Sequence, residues 1–262
     1  MGISRREFLK VAGLSAIAGV GGSWVLSIPA KRDAEAYEFL RHPKALTAKK
    51  WGMVVDLRRF KTQEDYRKVI EACHNIHNVP QFDNPKHEIK WIWTDTFKHA
   101  FPGQEHKYIM EKLEHKPFLL LCNHCENPPC VRVCPTKATF KSKDGGIIMQ
   151  DPHRCIGCRF CMAGCPYGAR SFNWRDPRPF VKKINPGYPL RTIGVVEKCT
   201  FCEERLARGL IPACVEASNG GLIFGDLGDP DSEVRTALRA NYTIRRKSEL
   251  GTEPSVFYII EI

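Results

Sequence analysis

Two runs of cysteine constrain this chain more than any other feature. In Cys122-x2-Cys125-x4-Cys130-x3-Cys134-Pro135 and Cys155-x2-Cys158-x2-Cys161-x3-Cys165-Pro166, eight thiols crowd into short stretches of backbone, each closed by Cys-Pro. Thiols this dense could form disulfides only within tight loops, against the Cα separation that a bridge requires. Zinc sites use Cys-x-x-Cys pairs with long separations, not triplets closed by Cys-Pro. An iron-sulfur cubane fits the pattern. Three closely spaced thiolates wrap one cluster, N–H groups of the same loop turn toward its sulfurs, and a fourth cysteine leaves the loop. The chain holds 12 cysteines, enough for three sets of four.

Both runs resemble the two-cluster bacterial ferredoxin pattern, the first with a gap widened around Pro128-Pro129. In that pattern the cysteine before proline ligates the neighbouring cluster. One expected ligand set is therefore Cys122, Cys125, Cys130 and Cys165, and the other is Cys155, Cys158, Cys161 and Cys134. Between the runs, Ala138-Thr139-Phe140-Lys141 and Ile147-Ile148-Met149-Gln150 flank Ser142-Lys143-Asp144-Gly145-Gly146, a hairpin signal built on Asp-Gly. Short hairpins and short helices after cysteine loops predict an α+β, ferredoxin-like fold.

The remaining cysteines are looser: Cys199-Thr200-Phe201-Cys202, then Cys214 in Pro212-Ala213-Cys214-Val215-Glu216-Ala217-Ser218, and Cys73 far upstream. The chain from residue 50 onward resembles the NrfC-like ferredoxin subunits of membrane oxidoreductases. The resemblance rests most on Cys122-Asn123-His124-Cys125-Glu126-Asn127-Pro128-Pro129-Cys130, Cys165-Pro166-Tyr167-Gly168-Ala169-Arg170 and Phe224-Gly225-Asp226-Leu227-Gly228-Asp229-Pro230. Within that family, Trp91-Ile92-Trp93, Phe101-Pro102-Gly103 and the stretch from Ser171 to Pro179 look most like the DsrO group, the periplasmic ferredoxin subunits of DsrMKJOP complexes.

The resemblance implies four cysteine motifs, the first and fourth ligating crosswise. Here Phe60 stands where the first cysteine of motif one is expected, and Ser218 where motif four would end. The absent residues are the ligands of a single cluster. The cysteines that remain, Cys199, Cys202, Cys214 and Cys73, make a complete third set, so three [4Fe-4S] clusters account for every cysteine. The other reading of Cys73 is a buried apolar thiol, with Ser218 as a substitute alkoxide ligand or an open corner that leaves a three-iron cluster. The implied organisation is two pseudosymmetric modules, one over 116–190 with two clusters and a discontinuous one joining 50–80 to 191–228 with one. They lie within an iron-sulfur domain over 37–262, whose tail, 229–262, is expected to wrap the surface or a partner.

Residues 1–36 carry a different message. Ser4-Arg5-Arg6-Glu7-Phe8-Leu9-Lys10, a charge-free run from Val11 to Ile28, then Pro29-Ala30-Lys31 follow the order of an export signal and resemble the twin-arginine type. Ala34-Glu35-Ala36 offers a cleavage site, while a run of this length also suits a retained membrane anchor. Either outcome implies the periplasmic, outer face of the cell membrane.

A formal charge of +11 would by itself invite nucleic acid. Each four-iron core with four thiolates adds about −2, so three of them bring the total to about +5. Residues 1–36, with five Lys/Arg and three Asp/Glu, hold another two of those positive charges. The nucleic-acid reading loses its support. Seven of the nine histidines fall between His74 and His124, but no Cys-x-x-Cys-His occurs, which excludes covalently attached c-type haem. His124, inside a cysteine loop, is a candidate for tuning a cluster by hydrogen bonding. Trp91, Trp93, Phe97 and Phe101 read as core or subunit interface.

No catalytic motif stands out, so the expectation is an electron-transfer subunit without a catalytic site of its own. By resemblance its partners are an NrfD/DsrP-like integral quinone-reactive subunit and a multihaem cytochrome c such as DsrJ, in a complex linked to sulfate or sulfite reduction. A molybdopterin oxidoreductase is the alternative setting, and a zinc- or disulfide-stapled basic binding module the alternative class.

Overall fold

In the computed structural model, which describes residues 42–260, the elements in chain order are β1 (Trp51–Asp56), α1 (Gln63–Ile76), β2 (Ile92–Asp95), α2 (Phe97–Ala100), α3 (Glu111–Glu114), β3 (Phe118–Leu121), α4 (Pro129–Arg132), β4 (Thr139–Lys141), β5 (Ile148–Gln150), α5 (Phe160–Ala163), β6 (Ser171–Phe172), β7 (Val196–Glu197), α6 (Glu203–Leu206), α7 (Ala213–Ala217), β8 (Leu222–Asp226), α8 (Glu233–Ala240) and β9 (Val256–Ile259). The mixture is α+β. The twin-arginine segment expected over 1–36 lies outside the described residues, and among those described no helix is long and apolar enough to cross a membrane.

β1 is the central strand of a three-stranded sheet ordered β8-β1-β9. Its side chains alternate between two covered faces, as the period of a strand requires. On one face Val54 packs with Ile259 and with Val234 and Ala237 of α8. On the other, Met53 and Val55 enter the main core. β8 runs antiparallel to β1, pairing Met53 with Phe224, and β9 runs parallel to it, pairing Val55 with Tyr258.

Two local devices position cysteines. α1 opens with a capping box: the Asp65 N–H donates to Thr62 Oγ1 while the Thr62 N–H donates to the Asp65 carboxylate. Glu64 and Asp65 also place negative charge at its N-terminus. The helix buries Tyr66, Val69 and Cys73, one stripe at helical spacing, so the stripe that anchors it also delivers a thiol to the interior. β3, pairing antiparallel with β2, is buried along its whole length and runs straight into Cys122. Trp91, Trp93, Phe97 and Phe101 are all core residues. The expected hairpin is present as β4 and β5, with Gly145 and Gly146 in the left-handed region. A side chain on Gly145 would collide with the Trp51 ring, which ties this turn to the start of β1.

The tail does not wrap the surface. β9 is the third strand of the central sheet, and the fully buried Tyr258 ring meets Phe101 edge-on at 5.4 Å. The residues just before it bracket the first cysteine loop. Glu126 and Asn127 N–H groups donate to the Glu253 and Thr252 carbonyls, the Ser255 N–H donates to Asn123 O, and the Ser255 hydroxyl donates to His124 O. A run of Val-Phe-Tyr-Ile says that a segment is apolar but not where it docks, and β1 still lacked a neighbour on one side.

Tyr258 tests this placement. Replacing it by Ala should cost about 3–5 kcal/mol, by analogy with Phe and Trp truncations. Tyr258→Phe should cost nothing, because the buried hydroxyl has no partner among the described residues. Thermal unfolding of the two variants against wild type checks both.

Candidate functional site

The three cysteine sets expected from the sequence are each gathered in space. Cys122 at the end of β3, Cys125 in the following loop, Cys130 on α4 and Cys165 after α5 come close together: Cys122 raises the cost of ionising Cys125, Cys130 and Cys165, and Cys165 raises that of Cys125 and Cys130. Cys134, Cys155, Cys158 and Cys161 line a single cavity together with Thr139, Gln150 and Val196. Cys73 from α1 meets Cys214 from α7 and the Cys199–Cys202 loop in the interior. All twelve are free thiols.

The sets also adjoin one another. Cys130 acts on Cys161, linking the first set to the second, and Cys122 acts on Cys199, linking the first to the third. The Cys122 set is therefore the middle of three.

Burial dominates the thiol chemistry. It pushes Cys125 and Cys214 up to about 12 and Cys73, Cys199 and Cys202 upward as well. Groups of four such thiols ionise together only around compensating positive charge, and metal ions supply it. Cys134 differs: burial raises it, but the Thr139 N–H, donating at 3.4 Å, and Thr136 more than offset that, and it lies below the ordinary range. The Phe201 N–H donates to Cys199 Sγ at 3.4 Å in the same way.

The cysteine loops carry polar atoms that need partners. Asn123 Nδ2 and Oδ1, His124 Nε2 and Thr200 Oγ1 are buried without a hydrogen bond among the described residues. Buried polar atoms nearly always have partners. Donors orphaned beside clustered thiols suit the sulfide acceptors of an iron-sulfur cluster. The loop backbones agree, with His124, Gly157, Arg159, Phe201 and Cys202 all at positive φ, a geometry that turns successive N–H groups toward a common point.

His124 is more than an orphan. Its Nδ1 accepts from the Ile148 N–H at 3.0 Å, which leaves the proton on Nε2, and its ring stacks on Phe201 at 3.7 Å. Burial, then Lys198 and Arg170, hold it well below the usual imidazole range, so it is neutral. His77 joins the site unannounced by any motif. Its Nδ1 lies 3.6 Å from Cys73 Sγ and bonds to Cys73 O, its Nε2 bonds to Glu204 at 2.9 Å, and its ring stacks on Trp91. His77, Cys202 and Glu204 come close enough to hold a metal as a trio. Both imidazole nitrogens are already engaged, and Cys202 belongs to the Cys73 set.

Phe60 and Ser218, which stand where the family pattern expects cysteines, have structural neighbours. Phe60 is buried and stacks on Tyr66, and a Cβ on Gly221 would lie 2.6 Å from the Phe60 ring. Ser218 Oγ donates to Val215 O at 2.7 Å and accepts from the Leu222 N–H at 2.9 Å, closing the turn between α7 and β8.

Known proteins are similar to this chain. A 4Fe-4S dicluster domain matches residues 114–182, spanning the first two sets. The Hdr-like menaquinol oxidoreductase iron-sulfur subunit 1 of Archaeoglobus fulgidus is 41% identical over 98% of this chain and 97% of its own. The iron-sulfur cluster-binding subunit of menaquinone reductase from Nitratidesulfovibrio vulgaris is 36% identical over 80% and 88%. Protein NrfC of Escherichia coli is 32% identical over 72% and 73%. The chain belongs to the NrfC-like family of iron-sulfur subunits. Two residues of this NrfC-like subunit beside the cysteines escaped sequence reasoning as functional groups, Arg170 and Lys198. Each sits within a few residues of a cysteine and would ordinarily be read as exposed.

His124→Leu should leave the Ile148 amide buried without its acceptor and cost about 1–3 kcal/mol. His124→Gln, which keeps an acceptor, should recover part of the loss. Denaturant unfolding of the two variants measures the difference.

Proposed function

We propose that this subunit relays single electrons through three [4Fe-4S] clusters at the outer face of the membrane, with no substrate site of its own. The observation that carries the reading is the succession of three complete cysteine sets, Cys155 to Cys122 to Cys199, each adjoining the next and together using all 12 cysteines. When bound, each cluster takes up and returns one electron. The chain's own residues hold the ligands in place, direct N–H groups at the sulfurs and keep water away.

The two ends of the succession differ. The Cys155 set is the shallowest, with Cys134, Cys155 and Cys158 only partly buried. Large apolar side chains near it are exposed, Ile156 at 67%, Phe160 at 58% and Ile193 at 58%. Such a surface suits an apolar partner, and we assign it to an NrfD/DsrP-like quinone-reactive membrane subunit. Relatives whose names carry menaquinol and menaquinone oxidoreductases support a quinone partner. At the other end the partner is a periplasmic multihaem cytochrome of the DsrJ kind, and the chain is a DsrO-type subunit of a sulfate- or sulfite-linked complex. The absence of cysteines at the fourth position, where Phe60 stacks on Tyr66 and Ser218 closes a turn, favours this over a molybdopterin partner.

The two-module division is part of the same reading. Pairing of β1 with β8 and packing of α1 against α7 join 50–80 to 191–228, while the β4–β5 hairpin stays within 116–190. Export through the twin-arginine route accounts for the N-terminal segment.

Iron and acid-labile sulfide analysis should return about twelve irons per chain, and Cys73→Ser should lower that to about eight. Ser218→Ala should leave the content unchanged. A wild-type content near eight would remove the Cys73 cluster, and protein free of iron would end the reading. Purification from solubilised membranes should bring down an integral subunit and a haem protein.

A further inference from the structure

Two cations are buried in the cysteine-rich core, and neither pairs with a carboxylate among the described residues. Arg170 is 4% exposed and Lys198 1%. Fully buried Arg and Lys are rare because removing a charge from water is costly unless opposite charge answers it. What answers them here is sulfur.

Arg170 lies between the Cys122 and Cys155 sets. Its Nη2 donates to Cys130 Sγ at 3.2 Å, and its Nη1 donates to Thr139 Oγ1 and Gln150 Oε1, both at 3.0 Å. Thr139 and Gln150 line the cavity of the Cys155 set, and the guanidinium also bonds to the Cys161 thiol. Lys198 lies between the Cys122 and Cys199 sets. Its Nζ donates to Ile148 O and, at 2.5 Å, to Cys199 O, and the thiols it faces are Cys122, Cys199 and Cys130. Each gap in the succession thus holds one cation, and only the central set borders both. The third set has a carboxylate instead on its far side, Glu204, which acts on Cys73 and Cys202.

A one-electron reduction adds a full negative charge to a cluster without making or breaking a bond. A fixed positive charge alongside therefore favours the reduced form and raises the potential, and burial prevents salt from screening it. A neighbouring carboxylate does the reverse. We infer that Arg170 and Lys198 make the central cluster, held by Cys122, Cys125, Cys130 and Cys165, the first of the three to accept an electron and the place where the relay holds it. The electron comes from a quinol or a reduced haem of the complex, and dithionite replaces either in a test. Arg170 and Lys198 act as positioning charges and touch no substrate. The inference rests on the reading of the cysteine sets as cluster ligands.

The test is a dithionite titration of the full-length protein followed by EPR, with iron counted in every sample. Cys73→Ser and Cys155→Ser each delete a terminal cluster, and the highest-potential signal should survive in both. Arg170→Gln should lower the potentials of that signal and of the one lost in Cys155→Ser. Lys198→Gln should lower that signal and the one lost in Cys73→Ser. Only the highest-potential signal moves in both variants, and Arg170→Lys should restore part of the first shift. Disappearance of the highest-potential signal in either Cys variant overturns the assignment. So do unmoved potentials in the Gln variants at full iron content. Absence of iron from the wild type would instead defeat the cluster reading itself. Should the Gln variants fail to fold, the two Cys variants still decide which cluster is reduced first.

Discussion

Gathering thiols away from water requires positive charge in the same place. Every nearby design choice follows from that electrostatic demand. Burial raises the buried thiols, Cys125 and Cys214 to about 12. The chain answers with directed N–H groups, such as those of Thr139 and Phe201, and with two cations buried beside the thiols, Arg170 and Lys198. None of these alone balances four thiolates. The set of ligands is stable as anions only around metal, so folding and cofactor binding are two aspects of one equilibrium.

The fold distributes this demand among distant segments. α1 brings Cys73 to meet Cys214 on α7, and in the chain α1 follows β1 while α7 precedes β8, the two strands that pair. The first cysteine loop is held from outside by backbone bonds to Thr252, Glu253 and Ser255. Even the position without cysteines is used structurally, since Phe60, Tyr66 and Gly221 fit one another there and Ser218 spends its hydroxyl on a turn.

How much of this was legible in the sequence differs by residue. Cysteine spacing is readable because ligand geometry fixes it locally, and the Asp-Gly hairpin is readable because turn backbone demands glycine. Cys73 could be grouped with its partners only through a family pattern, since nothing local relates residue 73 to residue 214. The tail and the two cations stayed hidden. Val256–Ile259 is an apolar run whose neighbour lies some two hundred residues upstream, and Lys198 is a polar residue whose burial becomes sensible only once sulfur surrounds it. Sequence reports composition at a point well, but pairing over long separation depends on which strand is left uncovered.

The parallel pairing of β9 with β1 sets an order of assembly. The strand that completes the central sheet, and the residues that clasp the first cysteine loop, are made well after β1 and that loop. Until they emerge, the Cys122 loop lacks its clasp and β1 lacks one neighbour. Cofactor delivery to the central set must therefore either await that strand or act on an open loop that the arriving strand later seals. In either case a chain that stopped before Thr252 would lose the clasp on the first cysteine loop as well as a strand.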